Sequence, residues 1–358
     1  MSGRLKLRRG VVVGAEPLTV EVDGKRRPAW ADSALLGEMR EGDEVVVNVE
    51  ALDLGLGSGG FDVVHVNLTR GLQSAGAGDQ HVIKLNYTSI QHPVDPVELP
   101  VRFMPDMDVK DAPERTREAI PVLVLPLHGH LAPAAWAAAQ AAPGSNVGYV
   151  QTGGGALPGP LSRDVAELRR RGLLCGHVTA APSYGGEHEA ISVAGALDAA
   201  AAKLEWDAVI AGPGPGIIGS GSRFGHGGMA ALDTAHASLA LGMPTLLSPR
   251  LSGADPRERH SPVSHHTLTV LQMLLAPVEI PVPSAEPVPI AVLATAAGWR
   301  HRLAEAPVDL PGYQASNLPA RTMGRTIEED PLFFAAALAS GKALSAASAG
   351  GAGGGGGG

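Results

Sequence analysis

The feature that most constrains the fold is an alternation of short apolar runs with alanine-rich segments, which begins at residue 119. The first run, residues 121–127, is continuously apolar, as is typical of a strand buried on both faces of a parallel sheet. The same pair of segments recurs four more times. Strands are predicted at 121–127, 146–150, 175–179, 207–211 and 244–247, and helices at 132–142, 163–171, 190–204, 229–241 and 265–275. Five β–α units in a row predict an α/β fold with a doubly wound, mostly parallel sheet of Rossmann-like type.

The N-terminal 70 residues have a different pattern, in which short β-branched runs alternate with turn signals. Strands are predicted at 10–14, 19–22, 44–49 and 62–66, with a tight turn at Asp23-Gly24. So many short strands predict a small β-barrel-like domain or a meander. Barrels of this kind can bind oligonucleotides, but this one lacks interleaved aromatic and basic residues. A docking or structural role is therefore favoured.

Four segments follow from these patterns. Residues 1–70 form the small β-rich domain, 71–118 a connecting segment, 119–345 the α/β ligand-binding domain and 346–358 a disordered glycine-rich tail. Within the third segment, residues 288–294 are either an edge strand or part of a helix that runs towards His301. A C-terminal helix is predicted over residues 326–347.

Composition narrows the class of protein. Of the 358 residues, 44% are hydrophobic, and the formal charge of −8 is not concentrated in a run of one sign. A nucleic-acid partner is therefore not expected. Cys175 is the only cysteine, so an internal disulfide and a cysteine-based zinc site are excluded. No apolar run reaches the roughly 20 residues that span a bilayer, and no signal peptide is recognised, so we expect no membrane partner and a cytoplasmic location.

Polar residues concentrate in the loops that follow the five predicted strands. Because the carboxyl ends of parallel strands meet at one edge of a sheet, these loops are expected to converge on one ligand site. The loops carry, in chain order, His128 and His130; Gly153, Gly154, Gly155 and Ser162; Glu187 and His188; Gly214, Gly216, Ser220, Ser222 and His226; and Arg250, Asp255, Arg257, Arg259, His260, His265 and His266.

Glycines and arginines among these residues indicate a site for a small anion. Glycine lets the backbone approach a ligand or adopt positive φ, and a helix that begins after such a loop offers free N–H groups. The candidates for binding are Gly153, Gly154, Gly214, Gly216, Ser220, Ser222, Arg250, Arg257, Arg259 and Arg325, the last closing over the site from the C-terminal segment. The alternative is that the glycines only make tight turns.

Histidines indicate acid–base or metal-assisted chemistry. His128, His130, His260 and His266 are the candidate catalytic residues. A divalent metal is an optional cofactor, with candidate ligands His128, His130, Glu187, His188, His226 and His265. The helix N-terminus at residue 265 should keep its histidines neutral. The motif H-E-x-x-H is absent, and because adjacent histidines on a helix diverge, at most one of His265 and His266 should face a shared centre.

Other catalytic motifs are weak. Residues 214–219 match G-x-G-x-x-G by letter, but the loop continues to residue 228 and no acidic residue follows a later strand at the required spacing. No G-x-S-x-G elbow is present, so a serine nucleophile is disfavoured. Cys175 is predicted to lie in a buried strand as a core thiol.

Several longer motifs resemble those of an uncharacterised, largely actinobacterial protein family that is catalogued as a domain of unknown function. The resemblance covers nearly the whole chain except the tail, and it implies no activity. The motifs that carry it are Asp79-Gln80-His81 through Lys84-Leu85-Asn86-Tyr87-Thr88, residues 212–226, Arg259-His260 with Ser264-His265-His266-Thr267, and Arg321-Thr322-Met323-Gly324-Arg325.

Two functions fit these observations. The first is an enzyme, of hydrolase or transferase type, that acts on a small phosphate- or carboxylate-bearing substrate. The second is a non-catalytic regulatory protein that binds a metabolite and signals through its β domain or through a homo-oligomer. Both need the same pocket, and they differ in whether a general base or an open metal position is present.

Overall fold

The structure is a computed structural model that describes residues 3–56, 59–73, 76, 80–98, 119–284, 290–298 and 300–351. The chain divides into two compact units, residues 1–94 and 95–358. Much of the predicted connecting segment, Asp79 of the first motif, Val288 and residues 352–358 of the predicted tail lie outside the described residues.

The first unit contains a closed five-stranded barrel in the order β1-β2-β3-β5-β4. Its strands are β1 Leu7–Ala15, β2 Leu18–Val22, β3 Lys25–Trp30, β4 Glu44–Asn48 and β5 Asp62–Asn67. Valines that alternate along the strands fill the barrel, among them Val20, Val45 and Val47. Short helices α1 (Ser33–Leu36) and α2 (Glu50–Asp53) connect the strands. The predicted small β-barrel is therefore confirmed.

Strand β3 is the one barrel strand that the sequence pattern did not predict. It begins with Lys25, Arg26 and Arg27 and contains Pro28, so it lacks the β-branched residues that mark the other strands. Arg27 forms an ion pair with the buried Asp62 at 2.5 Å, which accounts for a basic residue in this strand. A hairpin of β6 (Val82–Lys84) and β7 (His92–Val94) completes the first unit.

The second unit is built on an eight-stranded sheet in the order β11-β10-β9-β12-β8-β13-β14-β15, and every pair of neighbours is parallel. Its strands are β8 Val122–Val124, β9 Val147–Thr152, β10 His177–Ala180, β11 His188–Ala190, β12 Ala208–Pro213, β13 Thr245–Leu247, β14 Glu279–Pro283 and β15 Arg302–Ala306. The predicted doubly wound α/β fold is confirmed. The direction of strand addition reverses around β8 and β12, which is where ligands bind in such sheets.

Helices cover both faces of this sheet. They are α3 Leu131–Ala141, α4 Arg163–Arg170, α5 Val193–Ala202, α6 Ala230–Ala240, α7 His265–Met273, α8 Ile290–Ala297, α9 Leu310–Ala315 and α10 Pro331–Gly351. Successive residues of a strand point to opposite faces. Val122 and Val124 therefore belong to the apolar layer of α5 to α8, whereas Leu123 and Leu125 belong to that of α3, α4, α9 and α10.

Three strands of this sheet were not predicted, namely β11, β14 and β15. Strand β14 contains Pro281 and Pro283, and prolines argue against a strand that has two neighbours. It pairs with β15 over five residues but with β13 only at Glu279. The prolines occupy alternate positions, so the ladder to β15 can use the N–H groups between them. Residues 290–297 form helix α8, which decides between the two predicted alternatives for this segment in favour of a helix.

Helix α10 begins five residues later than predicted and continues through Gly351, so residues 346–351 of the predicted tail are helical. Its stretch Pro331–Ala349 has the length and hydropathy of a helix that could cross a membrane. However, 67% of the apolar window is buried inside the structure. Phe333, Phe334 and Leu338 lie in the core beside α3, so α10 has the character of a core helix.

Candidate functional site

The loops that follow β8, β9, β12 and β13 meet at the carboxyl edge of the sheet. The ring of His128 contacts the carbonyl of Pro213 at 3.2 Å. A methyl group added to Gly155 would lie 2.1 Å from the carbonyl oxygen of Gly214, and one added to Gly228 would lie 3.2 Å from Nδ1 of His266. A continuous series of contacts therefore links these loops along one rim.

The glycines of this rim pack against each other. A Cβ atom on Gly154 would lie 2.3 Å from the carbonyl oxygen of Gly227, and one on Gly227 would lie 1.7 Å from the carbonyl oxygen of Gly154. A Cβ atom on Gly153 would lie 3.2 Å from Pro182. Close packing against backbone at Gly154 and Gly227, and against the Pro182 ring at Gly153, thus explains these glycines without a ligand. Gly216 differs, because it is at φ 75° with open space around it.

His128 holds two loops together. The carbonyl oxygen of Pro213 can only accept, so Nδ1 of His128 carries the proton and donates to it. Nε2 is then unprotonated and accepts from the hydroxyl of Ser162 at 2.8 Å. Ser162 also caps α4, where it accepts from the N–H of Val165. Both ring nitrogens of His128 therefore have protein partners, and its ring is buried.

His130 lies deeper, against the C-terminal helix. Its Nδ1 contacts the hydroxyl of Ser248 at 2.9 Å, and its ring meets that of Phe333 edge to face. Burial, together with the charge of Arg250, lowers the pKa of His130 to about 3. Its Nε2 is buried and has no partner among the described residues. The whole His130 side chain is buried, with no surface exposed to solvent.

Four other histidines form a cluster at the N-terminal ends of α6 and α7. The rings of His226 and His266 stack with centroids 3.8 Å apart, and those of His265 and His266 are 4.4 Å apart. His260 completes the cluster at 5.0 Å from His266. His226, His265 and His266 each offer a ring nitrogen, and these nitrogens lie within 4.8 Å of one another.

The expectation that only one of His265 and His266 faces a shared centre was wrong. The two residues open helix α7, behind the N-cap Ser264. The Cα–Cβ bonds of the two residues diverge. The imidazole side chain is nevertheless long enough for both rings to turn towards His226.

Hydrogen bonds define which nitrogens of the cluster are available. Nε2 of His226 donates to the carbonyl of Arg223 at 3.1 Å, so its Nδ1 carries a lone pair. That Nδ1 and the Nδ1 of His266 are both buried, and neither has a partner in the described part of the chain. In His260, by contrast, Nε2 accepts from Arg259 and Nδ1 donates to Ser264. His260 is fully engaged.

All four rings are held neutral. Burial is the main cause, and the charge of Arg250 adds to it in each case. These effects lower the pKa of His266 to about 2 and that of His260 to about 3, and they also lower the pKa of His226 and of His265. The direction of these pKa shifts favours the neutral rings expected from the sequence, and burial is their main cause.

The remaining candidate metal ligands do not join this group. Glu187 is exposed and forms two hydrogen bonds with Arg169. His188 lies in the edge strand β11. Together with His128 and His130, they fall outside the one group of described His, Cys, Asp and Glu residues that could hold a metal.

Arginines surround Asp255 beside the histidines. Arg257 donates two hydrogen bonds to its carboxylate, at 2.9 and 2.7 Å. Arg250 and Arg325 lie 3.3 and 3.5 Å from the same group. Burial alone would raise the pKa of Asp255, but the bonds from Arg257 and the charges of Arg257 and Arg325 outweigh it and hold that pKa well below the ordinary range.

Asp330 is a member of this cluster that sequence reasoning missed. Its carboxylate accepts from Nε of Arg325 at 3.1 Å, from the hydroxyl of Ser252 at 2.6 Å and from the N–H of Gly253 at 3.0 Å. It lies near the start of the C-terminal helix, far along the sequence from the strand loops. Its position between an acidic pair and an apolar run gave no signal beyond a helix start.

Ser220 and Ser222 use their hydroxyl groups within their own loop. The two oxygens are 2.9 Å apart, Ser220 donates to the carbonyl of Gly225, and the N–H of Gly225 donates to Ser222. The loop is fastened to α7 by Arg223, which donates to Gln272 at 2.7 Å. These serines are exposed, and none of their described contacts reaches the histidine cluster.

Cys175 precedes β10 and is half-buried, so its predicted place within the strand was wrong. Burial raises the pKa of its thiol to about 11. Since the thiolate is the reactive form, we expect Cys175 to react with Ellman's reagent at pH 8 more than about tenfold more slowly than a free thiol of ordinary pKa. A rate equal to that of free N-acetylcysteine would contradict this expectation.

Comparison with protein-family models gives one match. The family described as "protein of unknown function (DUF3866)" matches residues 28–341. The chain belongs to this family. The match to the DUF3866 family begins in β3 and ends in α10, so it includes the whole rim described above. No curated protein and no solved structure matches this DUF3866 chain.

Proposed function

We propose that this DUF3866 protein is an enzyme that binds a small phosphate- or carboxylate-bearing substrate at the carboxyl edge of its parallel sheet. The arginine cluster would hold the anion, and the adjacent histidines would supply acid–base or metal-assisted chemistry. The predicted cytoplasmic location, the absence of nucleic-acid and membrane partners, and the option of a homo-oligomer stay predictions from the sequence.

The observation that carries the proposal is an excess of positive charge at the rim. Asp255 and Asp330 balance part of the charge of Arg250, Arg257 and Arg325. A further arginine lies beside them: Arg259 donates to His260 and forms no ion pair with a described residue. Nε of Arg250 is buried, and no partner for it is found in the described residues.

The helix ends favour the same ligand. Helices α6 and α7 begin at this rim, and the N-terminal end of a helix carries partial positive charge. Burying guanidinium groups is costly unless a counter-charge is near. A bound phosphate or carboxylate would supply that counter-charge.

The histidines are suited to metal-assisted chemistry better than to acid–base chemistry. A general base works best when its pKa lies near the working pH. Burial lowers the pKa of His266 to about 2 and that of His260 to about 3, so either imidazole would accept a proton poorly at pH 7. A neutral imidazole is, however, the form that binds a metal ion.

Binding of inorganic phosphate to the Arg259→Gln variant tests the anion site. Arg259 is exposed and free of ion pairs to described residues, so its loss should not unfold the protein. A hydrogen bond to a charged group contributes roughly 1.5–3 kcal/mol, and we expect calorimetric titration to show about tenfold weaker phosphate binding.

Arg302→Gln is the matched control, because Arg302 is an exposed arginine of β15 that pairs with Glu279. It should bind phosphate as the wild type does. Equal affinity of the Arg259→Gln variant and the wild type, or no binding of phosphate and small carboxylates by either, would reject the anion site. Binding without turnover of any phosphate ester or carboxylic ester would favour the regulatory alternative over an enzyme.

A further inference from the structure

We propose that His226, His265 and His266 bind one Zn²⁺ ion, with the fourth coordination position open to water or to substrate. This inference deepens the proposed function by assigning the metal-assisted chemistry to three residues of the same rim. The metal site itself does not require that the anion site exist.

The first argument is the state of the ring nitrogens. His226 and His266 are 8% and 7% exposed, and the Nδ1 atom of each is buried without a partner in the described residues. A buried polar atom without a hydrogen bond costs about 1–3 kcal/mol. The two Nδ1 atoms of the stacked rings therefore destabilise the folded protein, and a metal ion bound to both would remove this cost.

The hydrogen bond of His226 prepares its Nδ1 as a ligand. Its Nε2 donates to the carbonyl of Arg223, and a bond from the second ring nitrogen to a carbonyl is the usual support of a metal-binding histidine. Arg223 is itself held by Gln272. The orientation of the His226 ring is therefore fixed from outside the cluster.

The second argument is the space in front of these nitrogens. A methyl group added to Gly228 would lie 3.0 Å from Nδ1 of His226 and 3.2 Å from Nδ1 of His266. Because residue 228 is glycine, the position beside both nitrogens is left without a side chain. Gly228 is not among the glycines of positive φ, so its backbone conformation does not require glycine. The short distances to the two histidine rings are what require it.

The geometry suits zinc. The nitrogens of a tetrahedral zinc site are about 3.4 Å apart when the Zn–N distance is about 2.0–2.1 Å. Here they lie within 4.8 Å of one another. The rings of His226 and His266 are nearly parallel, with 11° between their planes, so the rings of His265 and His266 would rotate to bring their nitrogens onto an ion held by His226. Three neutral imidazoles without a carboxylate favour Zn²⁺ over Mg²⁺ or Ca²⁺, which prefer oxygen ligands. Three protein ligands with one open position are typical of catalytic zinc.

The nearby arginine predicts how metal and anion influence each other. Arg250 lies beside the start of α7, where its carbonyl accepts from the N–H of Ser264 and its own N–H donates to the hydroxyl of Thr267, so its positive charge opposes a cation bound at the three histidines. An anion at the arginine cluster would offset that charge. We therefore expect phosphate to tighten metal binding, and by reciprocity metal to tighten phosphate binding.

The test uses Co²⁺ as a spectroscopic probe, followed by Zn²⁺ in competition, on the full chain. The wild type should bind one Co²⁺ with the intense visible absorption of a four-coordinate ion, and Zn²⁺ should displace it. His265→Ala, His226→Ala and Gly228→Ala should each weaken binding by about a hundredfold or more. His265 is partly exposed and its described contacts are ring contacts only, so this variant should fold even if His226→Ala does not.

His188→Ala is the matched control, because His188 is a half-buried histidine of the same sheet that lies outside the cluster. It should bind Co²⁺ as the wild type does. Arg259→Gln should also keep the Co²⁺ spectrum, so the anion site can fail while the metal site stands. Wild type without a four-coordinate Co²⁺ spectrum, or His265→Ala and Gly228→Ala variants with unchanged affinity, would overturn the inference.

Discussion

Asp255→Asn is expected to lower the free energy of unfolding by about 3 kcal/mol or more. The Asp255 side chain is 1% exposed, and it is the one described carboxylate that Arg250, Arg257 and Arg325 share. Asparagine keeps the shape of the side chain but removes its charge, so three guanidiniums would lose their common partner. Denaturant titration monitored by circular dichroism measures the difference.

The effect should depend on pH in a defined direction. The pKa of Asp255 is lowered in the folded protein from its ordinary value of 3.8, so its contribution to stability is present above about pH 4 and is lost as the pH falls through the folded-state pKa. The difference in the free energy of unfolding between wild type and variant should therefore be full at pH 7 and shrink below about pH 4.

Glu279→Gln, which breaks an exposed ion pair with Arg302, should lower the free energy of unfolding by less than about 1 kcal/mol. A similar small cost for Asp255→Asn would show that the cluster does not depend on this carboxylate.

Gly227→Ala should be the most damaging single methyl group at the rim. The new Cβ atom would lie 1.7 Å from the carbonyl oxygen of Gly154, and a backbone atom cannot rotate away as a side chain can. We expect a loss of about 2–3 kcal/mol in the free energy of unfolding. Because His226 and Gly228 flank this residue, Co²⁺ binding should weaken as well. Thermal and denaturant unfolding give the first quantity, and the Co²⁺ spectrum gives the second.

Gly253→Ala provides the comparison for this glycine. Nothing lies within 4 Å of a Cβ atom on Gly253, and its φ is not positive, so the change should stay within about 0.5 kcal/mol. If Gly227→Ala were equally mild, the two loops would have to separate easily, and the rim would be less rigid than its contacts indicate.

The parallel sheet could be predicted because its central strands are continuous apolar runs followed by alanine-rich helices. The apolar runs at residues 121–127 and 207–211 clearly indicate buried parallel strands. The outer strands could not be predicted in the same way. Strand β14 carries two prolines, β15 contains Arg302 and Glu305, and β11 has three residues, so their places depend on pairing with neighbours that the local pattern does not reveal.

The site could be predicted in part, because parallel topology alone brings the loops of His226, Arg250 and His266 to one edge. Two features were beyond the sequence. The rim glycines Gly154 and Gly227 pack against each other's backbone. The sequence alone does not distinguish a glycine that packs against backbone from a glycine that faces a ligand. Asp330 reaches the arginines only through the docking of the C-terminal segment, which is a tertiary event without a local signature.

The loop between β12 and α6 has a consequence for how members of this family can diverge. Its serines, its backbone and Arg223 satisfy one another or bond to α7, while Ile218 and Phe224 are 78% and 54% exposed. No described side-chain contact joins Ile218 to the imidazoles, while Phe224 lies under the guanidinium of Arg223 at 5.0 Å. We therefore expect that, in the enzyme proposed above, substrate preference can change in this loop while His226, His265 and His266 stay in place, and that relatives with different ligands differ first at residues 218 and 224.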